Sequence, residues 1–141
     1  MSANLDYERR LQAVERFMRE IRGDRGAVEP ASWSPSWTGL TVVGSATYTA
    51  QYHQIGKLVF WRVYIVAGGA NTTASTLNTT YIDNPPVNVA QDNPSLGVVN
   101  ITSGALYGQG YCLSGSPGQL RTPTWAATNG TIYISGWYER A

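Results

Sequence analysis

The sequence predicts a mainly β chain, an antiparallel β-sandwich preceded by one N-terminal α-helix. Three observations predict it. Charge is unevenly divided, with 12 of the 19 Asp, Glu, Lys and Arg residues in the first thirty of 141 positions. Apolar residues recur at helical spacing up to Ile21, and the period changes to two from Leu40 onward. Clusters of Asn, Pro, Gly and Ser then punctuate the chain, with no second helical pattern.

The helix is expected over residues 5 to 22. Asn4 or Ser2 can cap it, Asp6 and Glu8 fall in its first turn, and Gly23 is placed to end it. Its length would be about 27 Å. Tyr7, Leu11, Val14, Met18 and Ile21 follow one another at intervals of 4, 3, 4 and 3, the seam of a heptad pattern, with Phe17 beside it. Asp6 with Arg10 and Glu15 with Arg19 form pairs four residues apart on the outside. Such a short seam does not hold a coiled coil alone. Two uses stay open: a parallel bundle supported by a neighbouring domain, or a single helix docked on its own domain or on another protein. Arg22-Gly23-Asp24 spells an integrin-type tripeptide, which reads more simply as a cap glycine between two surface charges.

Residues 24 to 39 read as a linker stopped from helix by Pro30 and Pro35, and Trp33 and Trp37 should pack it onto the domain that follows. In that domain, residues 40 to 141, Tyr48, Ala50 and Tyr52 alternate with Thr47, Thr49, Gln51 and His53, so one face is expected buried and one wet. Ile55-Gly56-Lys57 reads as a turn. The strand over 57 to 67 is apolar on both faces: Leu58, Phe60, Tyr64 and Val66, interrupted by Arg62, on one, and Val59, Trp61, Val63, Ile65 and Ala67 on the other. Phe60, Trp61, Val63 and Ile65 are therefore the expected core or interface residues. A strand apolar on both faces needs a second cover, which a subunit interface or the Trp33–Trp37 linker would provide. Further strands are expected at 79–82, 86–90, 97–101, 105–107, 110–114 and 131–139, the last with Ile132, Ile134 and Tyr138 on one face and Tyr133 and Trp137 on the other. Short strands separated by frequent turns imply a sandwich or a jelly-roll-like arrangement.

The residues that carry chemistry are few. His53, the sole histidine, falls on the wet face of its strand without an acid–base partner. Cys112, the sole cysteine, lies between Tyr111 and Leu113 and reads as a buried thiol, which leaves no intrachain disulfide and no cysteine-rich metal site. Beyond the linker the carboxylates are Asp83, Asp92 and Glu139. Asp83 and Asp92 sit in Asn/Pro turns where short polar side chains bond locally, so a glycosidase pair is unsupported. Gly108-Gln109-Gly110 reads as a bend, and phosphate-loop, dinucleotide and nucleophile-elbow motifs are absent. These residues imply no enzyme, no cofactor and no metal. The Asn-x-Ser/Thr triplets at Asn71, Asn78, Asn100 and Asn129 are expected by-products of a Thr/Asn-rich surface. That surface, with Tyr and Trp beside neutral hydroxyls and amides, suits either a rigid shell or sugar recognition.

Net charge is +1 and the early Arg residues alternate with acids, so no nucleic-acid or membrane-surface footprint is expected. The charged N-terminal stretch is unlike a secretory signal, and an apolar run of about 18 residues is lacking. Synthesis in a reducing cytoplasm fits this pattern.

Trp37-Thr38-Gly39-Leu40, Ala46-Thr47-Tyr48-Thr49 and the run Tyr52-His53-Gln54-Ile55-Gly56-Lys57-Leu58-Val59-Phe60-Trp61 together resemble a β-sandwich domain of tailed-bacteriophage virion proteins. The closing Ile132-Tyr133-Ile134-Ser135-Gly136-Trp137-Tyr138 strand matches the same pattern. The resemblance spans most of residues 33 to 141, with 70 to 125 undiagnostic. It implies a homotrimeric jelly-roll-like knob of a head-decoration, head-fibre or tail-fibre protein, with no catalytic residues. A knob on a short helix, with no shaft or repeat between them, would sit close to the virion surface. The expected partners are further copies of the chain, other virion proteins of capsid or tail, and, for a fibre, host surface glycans.

Overall fold

The computed structural model describes the backbone of residues 2–27 and 29–141, and the side chains of 4–16 and 29–141. One helix, α1 (Ser2–Ala27), precedes twelve strands. These are β1 (Ala31–Ser32), β2 (Trp37–Thr38), β3 (Thr41–Val43), β4 (Thr47–Ile55), β5 (Leu58–Val66), β6 (Thr72–Ser75), β7 (Tyr81–Ile82), β8 (Asn93–Asn100), β9 (Ala105–Leu113), β10 (Gln119–Arg121), β11 (Trp125–Thr128) and β12 (Ile132–Glu139). Nine form one antiparallel sheet in the order β1-β4-β5-β12-β8-β9-β10-β7-β2, and β11-β6-β3 form a second. The expected fold class is the observed one: antiparallel sheets in a curled, sandwich-like arrangement behind one helix.

The curl follows from connectivity. Nine flat strands would span about 38 Å from edge to edge. Yet the two edges, β1 and β2, are joined by residues 33–36 alone. That connection reaches at most about 18 Å. The sheet must therefore bend back on itself, with the Trp33–Trp37 segment across the gap. The bend encloses one face. Val59, Val63 and Ile65 of β5 have no exposed surface and Trp61 has 3%, and they meet Ile132, Ile134 and Tyr138 of β12, Leu96 and Val98 of β8, and Leu120. Trp125 of the small sheet closes this core, its indole Nε1 donating to Thr73 Oγ1 at 3.3 Å and its ring stacked on Tyr107 at 5.9 Å. Burying side chains of this size stabilises by about 2 kcal/mol each before entropy is counted.

Several expectations are corrected. The helix begins at Ser2, so Asp6 and Glu8 lie beyond its first turn, and it passes through Gly23 to Ala27. A glycine inside a helix costs only about 1 kcal/mol. Pro30, which forces the residue before it out of helical geometry, supplies the stronger stop. At 26 residues the helix spans about 39 Å, not 27. The 86–90 segment is not a strand; only Val89 forms isolated bridges, to Gly115 and Arg140. Pro85 and Pro86 remove two ladder donors, and the Tyr138 hydroxyl bonds the Val87 backbone instead, donating to its carbonyl at 2.7 Å and facing its N–H at 3.2 Å. The pieces at 105–107 and 110–114 are one strand, β9, and Gly108-Gln109-Gly110 lies within it. The β8–β9 register shifts between Val98 and Val99, a bulge that Gly108 accommodates at φ +93°. Gly110 is required by packing, since a Cβ there would lie 1.9 Å from the Arg121 carbonyl oxygen.

Candidate functional site

The expected docking stripe of α1 is exposed where its side chains are described. Tyr7, Leu11 and Val14 are 70%, 48% and 58% accessible, and every described side chain from Asn4 to Arg16 is exposed. None of these side chains is buried. Met18 and Ile21, with Phe17 and the Arg22-Gly23-Asp24 side chains, lie outside the described side chains.

On β5 the two apolar faces have different fates. Trp61, Val63 and Ile65 are core, whereas Phe60 is 41% and Val66 44% exposed on the opposite face. The Trp33 linker packs on the inner side, edge-to-face against Tyr52 and Trp61 at 6.0 and 6.5 Å, so it leaves the outer face uncovered. Tyr48, expected inside with Ala50 and Tyr52, is 37% exposed near the open end of β4, while Ala50 is buried and Tyr52 half-buried.

Cross-strand register assembles the outer face. Arg62 pairs with Gln51 on β4 and Ser135 on β12, and Ser135 pairs with Gly97 on β8, which pairs with Gln109 on β9. His53, Phe60 and Trp137 form the next row. The short side chains at Ser135, Gly97 and Ser95 leave a depression between taller neighbours. This open trough has a volume of about 770 Å³, with Phe60 and Trp137 at one end and Tyr133 at the other. Tyr133 leans on Tyr64, ring centroids 4.9 Å apart. A shallower apolar hollow beside Leu106, which is 82% exposed, adjoins it.

Trp137 is firmly placed. The β12–β8 ladder ends at Ser135–Gly97, and beyond it the Ser95 hydroxyl donates to the Trp137 carbonyl and accepts from its N–H at 3.2 Å. Asn93 Nδ2 donates to the same carbonyl at 3.0 Å. Side chains thus replace the missing ladder and fix the Trp137 backbone at the rim. Arg62 is held by one neutral amide: its Nε donates to Gln51 Oε1 at 3.1 Å and its Nη2 to the same oxygen. Arg121, farther along the sheet, is more fully engaged. Gln119 accepts from its Nε at 2.8 Å, Tyr111 Oη accepts from Nη1 at 2.9 Å, and the rings of Tyr81 and Tyr111 lie 5.7 and 5.6 Å from its guanidinium.

The other candidate residues serve structure. Cys112 is fully buried, and burial pushes its thiol up to about 12, opposed by the nearby Ser95 and Trp61 side chains. Asp83 accepts from the Thr38 hydroxyl at 2.8 Å. Asp92 Oδ1 accepts from the Ser114 N–H at 2.8 Å, and that bond holds the exposed carboxyl below its ordinary value. Among the described residues no three His, Cys, Asp or Glu side chains gather as a metal site would need. His53 lines the trough and Glu139 is exposed at the end of β12.

The Asn triplets are not a surface by-product throughout. Asn100 is 3% exposed and bonded at both ends of its amide. Its Oδ1 accepts from the Thr102 and Ser103 N–H groups, and its Nδ2 donates to Tyr107 and Thr128. Asn71 ties Ser45 to Gly68, Asn129 donates to the Gly69 carbonyl, and Asn78, at φ +72°, accepts from Tyr111. The trough was the feature sequence reasoning missed. Small residues at 95, 97 and 135 between aromatic positions were its only trace.

No protein-family model matches this chain, and no curated protein and no solved structure matches it either. The likeness to phage virion domains therefore stands on the quoted residues alone.

Proposed function

We propose that this protein is a non-enzymatic structural component of a bacteriophage particle, a homotrimeric knob docked on the virion surface by its N-terminal helix, in the role of capsid decoration. One observation carries this reading: a 26-residue helix whose Tyr7, Leu11 and Val14 stripe is exposed. Exposed apolar residues at heptad spacing are costly in water and fit a surface that another chain covers. The β domain, poor in charge and uncovered at Val66 and Leu106, supports association of copies alongside it. A helix of about 39 Å is longer than the sequence promised and still holds the knob near the particle.

Copy number per virion, by quantitative mass spectrometry of purified particles, tests the role. Decoration requires hundreds of copies, one set for each capsid site; a few tens or fewer would place the protein on a fibre instead. Light scattering of the whole chain tests the trimer, and a mass of 15.3 kDa at micromolar concentration would refute self-sufficient assembly. A second reading, a short tail-fibre knob that binds host glycans, is favoured by the trough with its exposed indole and amide-lined walls.

A further inference from the structure

We infer that the trough on the outer face of the large sheet binds a carboxylate-bearing saccharide, a uronic or sialic acid unit, with Arg62 taking the carboxylate and Trp137 taking the sugar face. The inference rests on the glycan-binding reading and adds to it a site and a ligand charge.

The first argument is charge. The trough contains a guanidinium and no carboxylate. Arg62 gives Nε and one side of Nη2 to Gln51, a neutral acceptor that aligns the group without cancelling its charge. The end formed by Nη1 and Nη2 is left for a second, bidentate partner, the geometry that a carboxylate matches. The acidic position on the same face, Glu139, lies four residues along β12 from Ser135, the residue paired with Arg62. Arg121 shows the contrast, since its Nε and Nη1 already have partners and the rings of Tyr81 and Tyr111 crowd its guanidinium.

Shape supplies the second argument. A subunit interface is built best from interlocking apolar side chains, whereas here the floor is Ser135, Gly97 and Ser95, and the walls alternate rings with amides. Trp137 is 41% exposed, and Ser95 and Asn93 fix its backbone, so the strand presents an open indole face at a set place on the rim. The Gln109 side chain and the Ser135 hydroxyl, across from it, are placed to bond sugar hydroxyls. Stacking on an indole combined with hydrogen bonds from amides and a charged fork is the chemistry of acidic sugar recognition.

The test uses the whole chain and three defined probes: trigalacturonic acid, a hyaluronan tetrasaccharide and a short α2,8-linked sialic acid oligomer, each with its neutral methyl ester. Titration calorimetry and Trp fluorescence report binding. The expected result is that at least one acid binds about tenfold or more tightly than its ester, a difference that shrinks with added salt. R62Q should abolish the acid–ester difference, and W137A should weaken both forms, with thermal melts of each variant confirming that it is folded. Equal affinity for acid and ester overturns the charge assignment while leaving glycan binding in place. Failure of all three acids and their esters overturns the site altogether; Trp137 shielded from quenchers in an oligomer would then identify a second copy as the occupant.

Discussion

Asn100 shows what a single residue does in this fold. Its buried amide closes the β8–β9 turn and ties it to β9 and β11, and Gly130 lies so close that a Cβ there would approach the amide to within 2.4 Å. Asn100→Ala strands two backbone N–H groups and should cost on the order of 3 kcal/mol, read as a shift of the urea midpoint. A loss under about 0.5 kcal/mol would show that water replaces the amide. Cys112 makes a second prediction. With no exposed surface and a thiol raised to about 12, it should ignore Ellman's reagent near neutrality in the native protein and react fully in denaturant. Both residues were visible in the sequence to different degrees. Cys112 was legible as a buried thiol because its neighbours are apolar strand residues. Asn100 reads as surface in the sequence, since composition does not tell an amide that faces water from one that organises a turn.

At the scale of elements, α1 and β12 make opposite predictions. The described helix side chains are all exposed, so the double variant Leu11→Asp, Val14→Asp should leave the β-domain melt within about 0.5 kcal/mol while abolishing assembly by light scattering. A large fall in β-domain stability would mean that the helix docks on its own domain. β12 is an interior strand between β5 and β8, and its Tyr138 hydroxyl anchors the irregular 86–90 segment. Tyr138→Phe should cost about 1 kcal/mol at neutral pH. Burial raises the Tyr138 phenol above 10.0 and the Cys112 thiol above 9.0. The unfolded chain therefore releases these protons first, and the associated stability is full below pH 9 and is lost as pH climbs toward the folded values. The melting temperature should fall across that window, and less steeply in Tyr138→Phe. Asp92 acts in the other direction: its folded value lies below 3.8, so its contribution is present above that pH and is lost in stronger acid.

At the scale of the whole molecule, pairings distant in sequence dominate. β1 pairs with β4, β2 with β7 and β11 with β6, the last across Trp125 and Ser75. Closing such loops precedes any gain from the contacts they make, so refolding followed by Trp fluorescence should take milliseconds to seconds. Completion within microseconds would mean that local hairpins carry the stability. The same topology shapes the candidate site. The curl that buries Trp61 and Val63 turns Phe60 and Arg62 outward, and the trough appears only where four strands bring Arg62, Ser135, Gly97 and Gln109 into one row.

The amino-acid sequence by itself determined the fold class, the β4–β5 hairpin at Gly56-Lys57, the faces of β12 and the buried state of Cys112. Each of these depends on local period or turn chemistry. Helix ends, the strands β3, β6, β10 and β11, and the fusion of β9 needed the tertiary structure, because short Thr- and Gly-rich segments have weak preferences of their own and take the state their neighbours offer. Both faces of β5 are largely apolar in sequence; Arg62 marks one of them as the more polar, but one charge does not say what covers either face. Only the bend of the sheet decides that: the linker carrying Trp33 closes over the inner face, and the outer face, with Arg62 and Trp137 on it, is left open.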